Sequence, residues 1–253
     1  MEGLGWIALP LIGFAGGFGS GFLGLGGGVI MFPLLTFVGG VPTKLATGTD
    51  LVHVVIAAAT SMLSHHRAGM VDVKAGLIMG VAGIIGGLGG SFLSVPLSNH
   101  ALQGIYLAVV ILATAVLFIP LPSEEKNFQM GRINQMAGIA AGMGVGCLTG
   151  MLGVGGGFII VPFMTYALRV PLRISIGTSL LIILITSLGT FPAKFGVGHI
   201  DITITGLVLS GSVTGALLGS FFSRRTPVKS LRAALIGVLI LIILLVGYKL
   251  FLR

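Results

Sequence analysis

Apolar residues run along this chain in long blocks, and polar residues are confined to short interruptions between them. Eight blocks can be marked: about 5–37, 45–64, 73–95 and 101–121, then 135–168, 174–193, 202–222 and 231–251. Most are near the ~20 residues that an α-helix needs to cross a hydrocarbon core of about 30 Å. The pattern predicts an all-α integral membrane protein.

The two longest charge-free runs reinforce this. No charged residue lies between Glu2 and Lys44, and none between Arg132 and Arg169. Over the 253 residues the apolar share is 55 % and the charged share 8 %, with a mean hydropathy of +1.13. A soluble domain carries roughly 25 % charged residues, so this chain could not cover a water-facing surface. The opening MEGLGWIALP has no basic region ahead of its apolar residues and reads as the start of a membrane segment, not as a cleaved signal.

Sliding the chain on itself by 129 positions brings the two halves into register without a gap. Gly24, Gly26, Gly27 and Gly28 fall on Gly153, Gly155, Gly156 and Gly157; Pro33 falls on Pro162 and Pro42 on Pro171. Gly48 and Thr49 fall on Gly177 and Thr178, and the Gly69–Asp72 pair falls on Gly198–Asp201. Duplication accounts for the co-registered prolines and the Gly-x-x-Asp pairs better than chance pairing of Gly-rich sequence does. Residues 1–121 form the first repeat, 122–132 a charged linker and 133–253 the second repeat, within a single transmembrane domain.

The block that opens each repeat is too long. Gly5 to Phe37 is 33 residues, about 50 Å as continuous helix. Each opening block is interrupted by three consecutive glycines and then a proline, residues that break helices. Irregular backbone at membrane depth survives only inside protein or beside a water-filled cavity. Broken helices in matching positions of two repeats point to a transporter binding site.

Loop charge bears on topology. If every block crosses once, the 14 basic residues divide seven against seven. If the opening block of each repeat enters and leaves on one side, they divide ten against four, a normal positive-inside bias. The expected arrangement is therefore two inverted repeats, each opening with a Gly/Pro-broken or re-entrant helix.

The net charge of +8 does not indicate nucleic-acid binding, because the basic residues sit in short loops between apolar blocks. Cys147 is alone, so neither an intrachain disulfide nor a cysteine metal cluster can form. The five histidines make no metal motif, no nucleophile–base pair stands out, and neither a cofactor nor an enzyme activity is indicated.

Four groups of residues could carry chemistry. The doubled Gly-x-Gly-Gly-Gly-x-x-x-x-Pro, with Gly26, Gly27 and Gly28 in one copy and Gly155, Gly156 and Gly157 in the other, lets backbone approach a ligand and lets a restarting helix aim unpaired N–H groups at an anion. The competing explanation is close packing of helices by small residues. Thr47, Gly48 and Thr49, and Gly177, Thr178 and Ser179, open the second block of each repeat and could hydrogen-bond an oxyanion or their own backbone. Asp50 and His53 lie three apart on one helix face and could carry a proton or a cation; alternatively, Asp50 sits shallow and stabilises the helix start. His65 falls on Lys194, so two cationic positions related by the repeat could clasp an anion, or could be ordinary flanking residues at the interface. Asp72 and Asp201 read as helix N-caps.

The segments LGLGGGVIMFPLL at Leu23–Leu35 and LGVGGGFIIVPFM at Leu152–Met164, with IGTSL at Ile176–Leu180 and both Gly-x-x-Asp pairs, resemble the sulfite exporter TauE/SafE family, also called the 4-toluene sulfonate uptake permease family. The likeness covers nearly the whole chain. It implies a polytopic transporter of sulfur-containing anions such as sulfite or an organosulfonate, in a bacterial or archaeal inner membrane. Asp50 departs from the Ser179 of the second copy and points to coupling or to a different substrate charge. The reading that results is a gradient-driven transporter of a small anion, with protons or sodium as coupling ion. The alternatives are a cation- or proton-linked exporter centred on Asp50 and a non-transporting membrane scaffold.

Overall fold

The computed structural model describes residues 4–94, 96–97, 99–121, 129–131, 134–152, 156–195 and 201–251. Among them the regular structure is entirely helical. The first repeat comprises α1 (Leu4–Leu23), α2 (Gly28–Phe37), α3 (Thr43–Arg67), α4 (Val73–Ser94) and α5 (Asn99–Leu117). The second comprises α6 (Gln135–Leu152), α7 (Gly157–Pro162, continuing through a π-helical turn, Phe163–Ala167), α8 (Leu172–Phe195), α9 (Ile202–Arg225) and α10 (Val228–Phe251). Each element of the second copy starts within a few residues of 129 positions after its counterpart. The anticipated break in the first block falls between α1 and α2, at the glycines. Pro33 does not break α2 but lies inside it, while Pro162 marks the point where α7 widens into the π turn.

Among the described residues four helices are long and apolar enough to cross a membrane: Val73–Ser94, Leu172–Pro192, Ile202–Arg225 and Val228–Tyr248. With the family relationship given below, they make this an integral membrane protein. The α3 helix is more polar because it carries Thr49, Asp50, His53, Ser61 and His65, and all five are buried against other helices. Such groups persist at membrane depth when protein covers them.

The repeats interlock. In α1, Gly13, Gly17 and Gly21 lie on the backbone carbonyls of Val208, Ser212 and Ala216 of α9. In return, Gly211, Gly215 and Gly219 lie on those of Pro10, Phe14 and Phe18. The same contacts recur in the other half: Gly142, Gly146 and Gly150 of α6 rest on Met79, Gly83 and Gly87 of α4, and Gly86 and Gly90 rest on Met143 and Cys147. A Cβ at any of these glycines would collide with main chain. Small residues four apart are what allow two backbones to touch.

Residue order along these contacts fixes helix direction. The α1/α9 and α4/α6 pairs rise together and are parallel, as are α4 and α8, where Gly76, Gly80 and Gly87 meet Leu181, Ile185 and Thr190. By contrast, α1 and α2 are antiparallel: Gly19 meets Ile30, and Gly39 comes back to Ile12. The α2 helix therefore returns toward the end from which α1 set out, and Leu9, Ile12, Val41 and Ala46 share one apolar cluster there. Gly177, near the start of α8, lies on the Met70 carbonyl just beyond the end of α3, so α3 and α8 are antiparallel.

Asp201 caps α9 by accepting from the N–H groups of Thr203 and Ile204. Asp72 accepts from Ala75 N–H through Oδ1 and from Gly131 N–H through Oδ2, tying the start of α4 to the linker. Both caps match expectation. The remainder of the linker, residues 122–128 and 132, lies outside the described residues.

Candidate functional site

The first break is a left-handed turn. Gly24, Gly26 and Gly27 have φ of +71°, +75° and +81°, values that side-chain-bearing residues rarely adopt. A second requirement is space. Ser179 Oγ donates to the Gly24 carbonyl at 2.9 Å, and Gly26 faces the Ile183 side chain. Gly157, which opens α7, lies against the backbone of Gly24 and Leu25. The glycines of the two repeats therefore meet backbone to backbone in the interior. Gly153 and Gly155 lie outside the described residues.

Gly27 turns toward α3. A Cβ placed on it would stand 2.5 Å from His53 Cε1 and 3.3 Å from His53 Nδ1. Gly16 of α1 faces the other edge of the ring, where a Cβ would stand 3.0 Å from Nε2. The imidazole thus sits in a slot that two glycines leave open. Gly27 is also the N-cap of α2 and offers no side-chain cap. Ile30 and Met31 donate to the Gly27 carbonyl, leaving the N–H groups of Gly28 and Val29, at the positive end of the helix, without intrahelical acceptors.

His53 is 0 % exposed and Asp50 2 %, with Nδ1 and Oδ1 3.8 Å apart, beyond hydrogen-bonding distance. Neither His53 nitrogen has a hydrogen-bond partner, nor does Asp50 Oδ1. Buried polar atoms are nearly always satisfied, so such orphans need an explanation. Asp50 is the eighth residue of α3, beyond the first turn in which a helix-start charge acts. The hydroxyls of Ser20, Ser61 and Ser212 and His65 Nδ1 are also buried without partners.

The other sequence candidates fall into the surrounding helix packing. Gly48 is buried in α3. Thr49 and Thr205 hydroxyls approach to 3.4 Å across the α3/α9 contact. Thr178 Oγ1 accepts from Asp72 N–H at 2.9 Å, and Ser179 also donates to the Ile176 carbonyl. Gly177 is where α8 touches the α3–α4 loop. Gly156 faces Thr149 and Val145. His65 is buried, with Nε2 2.9 Å from the Gly21 carbonyl, and so is not an exposed flanking residue. The side chains of Thr47 and Lys194 lie outside the described residues.

Sequence reasoning missed several members. Gly16 is one, because its counterpart is Val145 and the repeat does not flag it. Ser20 and Ser61 fall on Thr149 and Thr190, so the doubled hydroxyls were a usable signal. The counterpart of the His53 slot is a narrow cleft lined by Val145, Thr149, Gly156, Ile160, Ile182 and Thr186, among others. Where one repeat has an imidazole the other has Ile182, and where one has a carboxylate the other has Ser179. Among the described residues no cluster of three or more His, Cys, Asp or Glu could hold a metal ion.

A family model described as "Sulfite exporter TauE/SafE" matches residues 9–246. The chain is 28 % identical to the "Probable membrane transporter protein YdhB" of Bacillus subtilis over 219 residues, covering 85 % of this chain and 89 % of that one. It is 31 % identical over 218 residues to a "Probable membrane transporter protein" of Xylella fastidiosa, covering 83 % and 81 %. A further relative with that description, from Methanocaldococcus jannaschii, is 26 % identical over 250 residues and covers 91 % of each chain. No solved structure matches.

Proposed function

The chain belongs to the sulfite exporter TauE/SafE family, and from that premise we propose that it is a gradient-driven secondary transporter of a small anion, with sulfite or an organosulfonate as substrate. The observation that carries this reading is the meeting of Gly24 and Leu25 with Gly157 in the interior, beside a helix N-terminus and buried, unpaired polar groups. Backbone N–H groups at a helix start favour anions, and helix breaks paired across repeats are a transporter feature.

The site works by alternating access: one repeat moves against the other around the paired breaks. Inverted placement of the repeats in the bacterial or archaeal inner membrane belongs to this reading. The antiparallel course of α3 and its counterpart α8 supports it, as does the return of α2 along α1. An axis relating antiparallel helices lies across them, and hence in the membrane plane when they span.

Proteoliposomes loaded with sulfite, methanesulfonate, sulfate or chloride test the proposal. Saturable flux of a sulfur oxyanion is expected; absence of saturable flux and binding for all four would overturn it. One observation favours a second reading, a cation- or proton-linked exporter: Asp50 Oδ1 is buried and has no hydrogen-bond partner. Flux of a cation with no anion flux in the same vesicles would select it.

A further inference from the structure

A buried anion needs a counter-charge, because an isolated ion in a low-dielectric interior is strongly disfavoured. Among the described residues no Lys or Arg side chain is buried; the buried ionisable groups are Asp50, His53, His65 and Asp72. Asp72 is engaged in its cap and Asp50 has the wrong sign. His65 is held to the Gly21 carbonyl, with Arg224 as its charged neighbour. His53 is left, with both nitrogens free, wedged between Gly16 and the Gly27 start of α2.

Resting on the anion-transport reading above, we propose that the oxyanion seats on the N-terminus of α2 at Gly27–Val29 and on protonated His53, so that each monoanion enters together with one proton. The proton comes from the aqueous side that the site faces. At rest the Asp50–His53 pair holds one proton and is neutral overall. Loaded, it holds two protons and one monoanion, and is neutral again. No bare charge is buried in either state.

The surroundings fit this balance. Asp50 is the charged neighbour on α3 itself, and Tyr106 of α5 lies within reach of its field. The α1 and α2 helices bring Gly16, Gly27 and Met31 to the ring and its slot, and none of these carries a charge. The equivalent cleft of the second repeat, with Ile182 in place of His53, offers no charge. One chain therefore carries one anion site despite its duplication.

Methanesulfonate is the discriminating probe, because it stays ionised and brings no proton of its own. Wild-type protein in proteoliposomes should take up one proton per methanesulfonate, with flux insensitive to an imposed membrane potential. H53Q should lose at least tenfold in flux and retain no proton uptake. D50N should keep the ratio of one, since Asn and protonated Asp are both neutral. Methanesulfonate flux without proton uptake, or an unchanged ratio in H53Q, would overturn the inference while leaving anion transport standing. Absence of all anion flux in the wild type would remove both. Should H53Q fail to assemble, the wild-type ratio still decides.

Discussion

Ser179 of the second repeat donates its hydroxyl hydrogen to the Gly24 carbonyl of the first, at 2.9 Å. The bond crosses between repeats at the point where the first helix break begins. Its counterpart position in the other copy is Asp50, so one place in the repeat stitches a break in one half and carries a buried carboxylate in the other.

Replacing Ser179 by Ala removes this stitch and leaves a buried carbonyl less well satisfied. Stability should fall by about 1 kcal/mol, read as faster thermal inactivation of the purified protein. Methanesulfonate transport should fall as well. Unchanged transport would mean that the break holds its shape without the bond.

Gly27→Ala combines two penalties: a side chain at φ +81° and a Cβ 2.5 Å from His53 Cε1. It should abolish transport with membrane insertion intact. Gly156→Ala meets Thr149 and Val145 side chains at an ordinary φ of −72°, so its effect should be weaker. Gly156→Leu should be as damaging as Gly27→Leu. Normal flux in Gly27→Ala would move the site elsewhere.

Gly17→Leu and Gly146→Leu place bulk between touching backbones in the α1/α9 and α4/α6 pairs. Each should cost more than ~3 kcal/mol, as severe overpacking does. The expected readout is inserted protein that aggregates on detergent extraction. A monodisperse, active Gly17→Leu protein would contradict the interlock.

Arg173 binds the end of α9: Nη1 donates to the Ser223 and Arg224 carbonyls and Nη2 donates to the Thr226 carbonyl. A cation there also suits the negative end of the helix. Arg173→Ala should lower stability by about 1–3 kcal/mol, and Arg173→Lys should recover only part of it, because the fork is lost. Transport per folded molecule should stay near wild type.

Topology can be read with single cysteines at Ala68 and Lys229 in a Cys147→Ala background. Ser223 would be a poor reporter because it is 2 % exposed. Inverted repeats place both sites in the cytoplasm, so an impermeant thiol reagent should label both in inverted vesicles and neither in intact cells. Opposite labelling would establish parallel repeats instead.

Much of the architecture was legible because membrane helices announce themselves by length and apolarity, and duplication repeats the announcement. The offset of 129 pointed to the glycine break of the first repeat and to both caps. It could not reveal the His53 slot, because that slot exists where the copies differ: Gly16 against Val145, His53 against Ile182. Nor could it show which helices would be partners. Close packing by small residues was one explanation of the doubled glycine motif, but only the fold shows that Gly13, Gly17 and Gly21 pack on α9. His65 looked like an end-of-helix residue and is instead buried on the Gly21 carbonyl, because α1 passes over the last turns of α3.

The α1/α9 contact has a consequence for biosynthesis. Gly17 meets Ser212, 195 positions later (212 − 17). At roughly 5–20 residues per second, α1 waits on the order of 10–40 s after it emerges from the ribosome before its partner is made. The α4/α6 contact between Gly87 and Gly150 closes after 63 positions (150 − 87), a third of that time. The α4/α6 pair can therefore form before the α1/α9 pair. The first helix can pack on α2 and α3 as they emerge, but the face that carries Gly13, Gly17 and Gly21 passes most of translation without its partner, and a ribosome stalled before α9 leaves that glycine stripe bare.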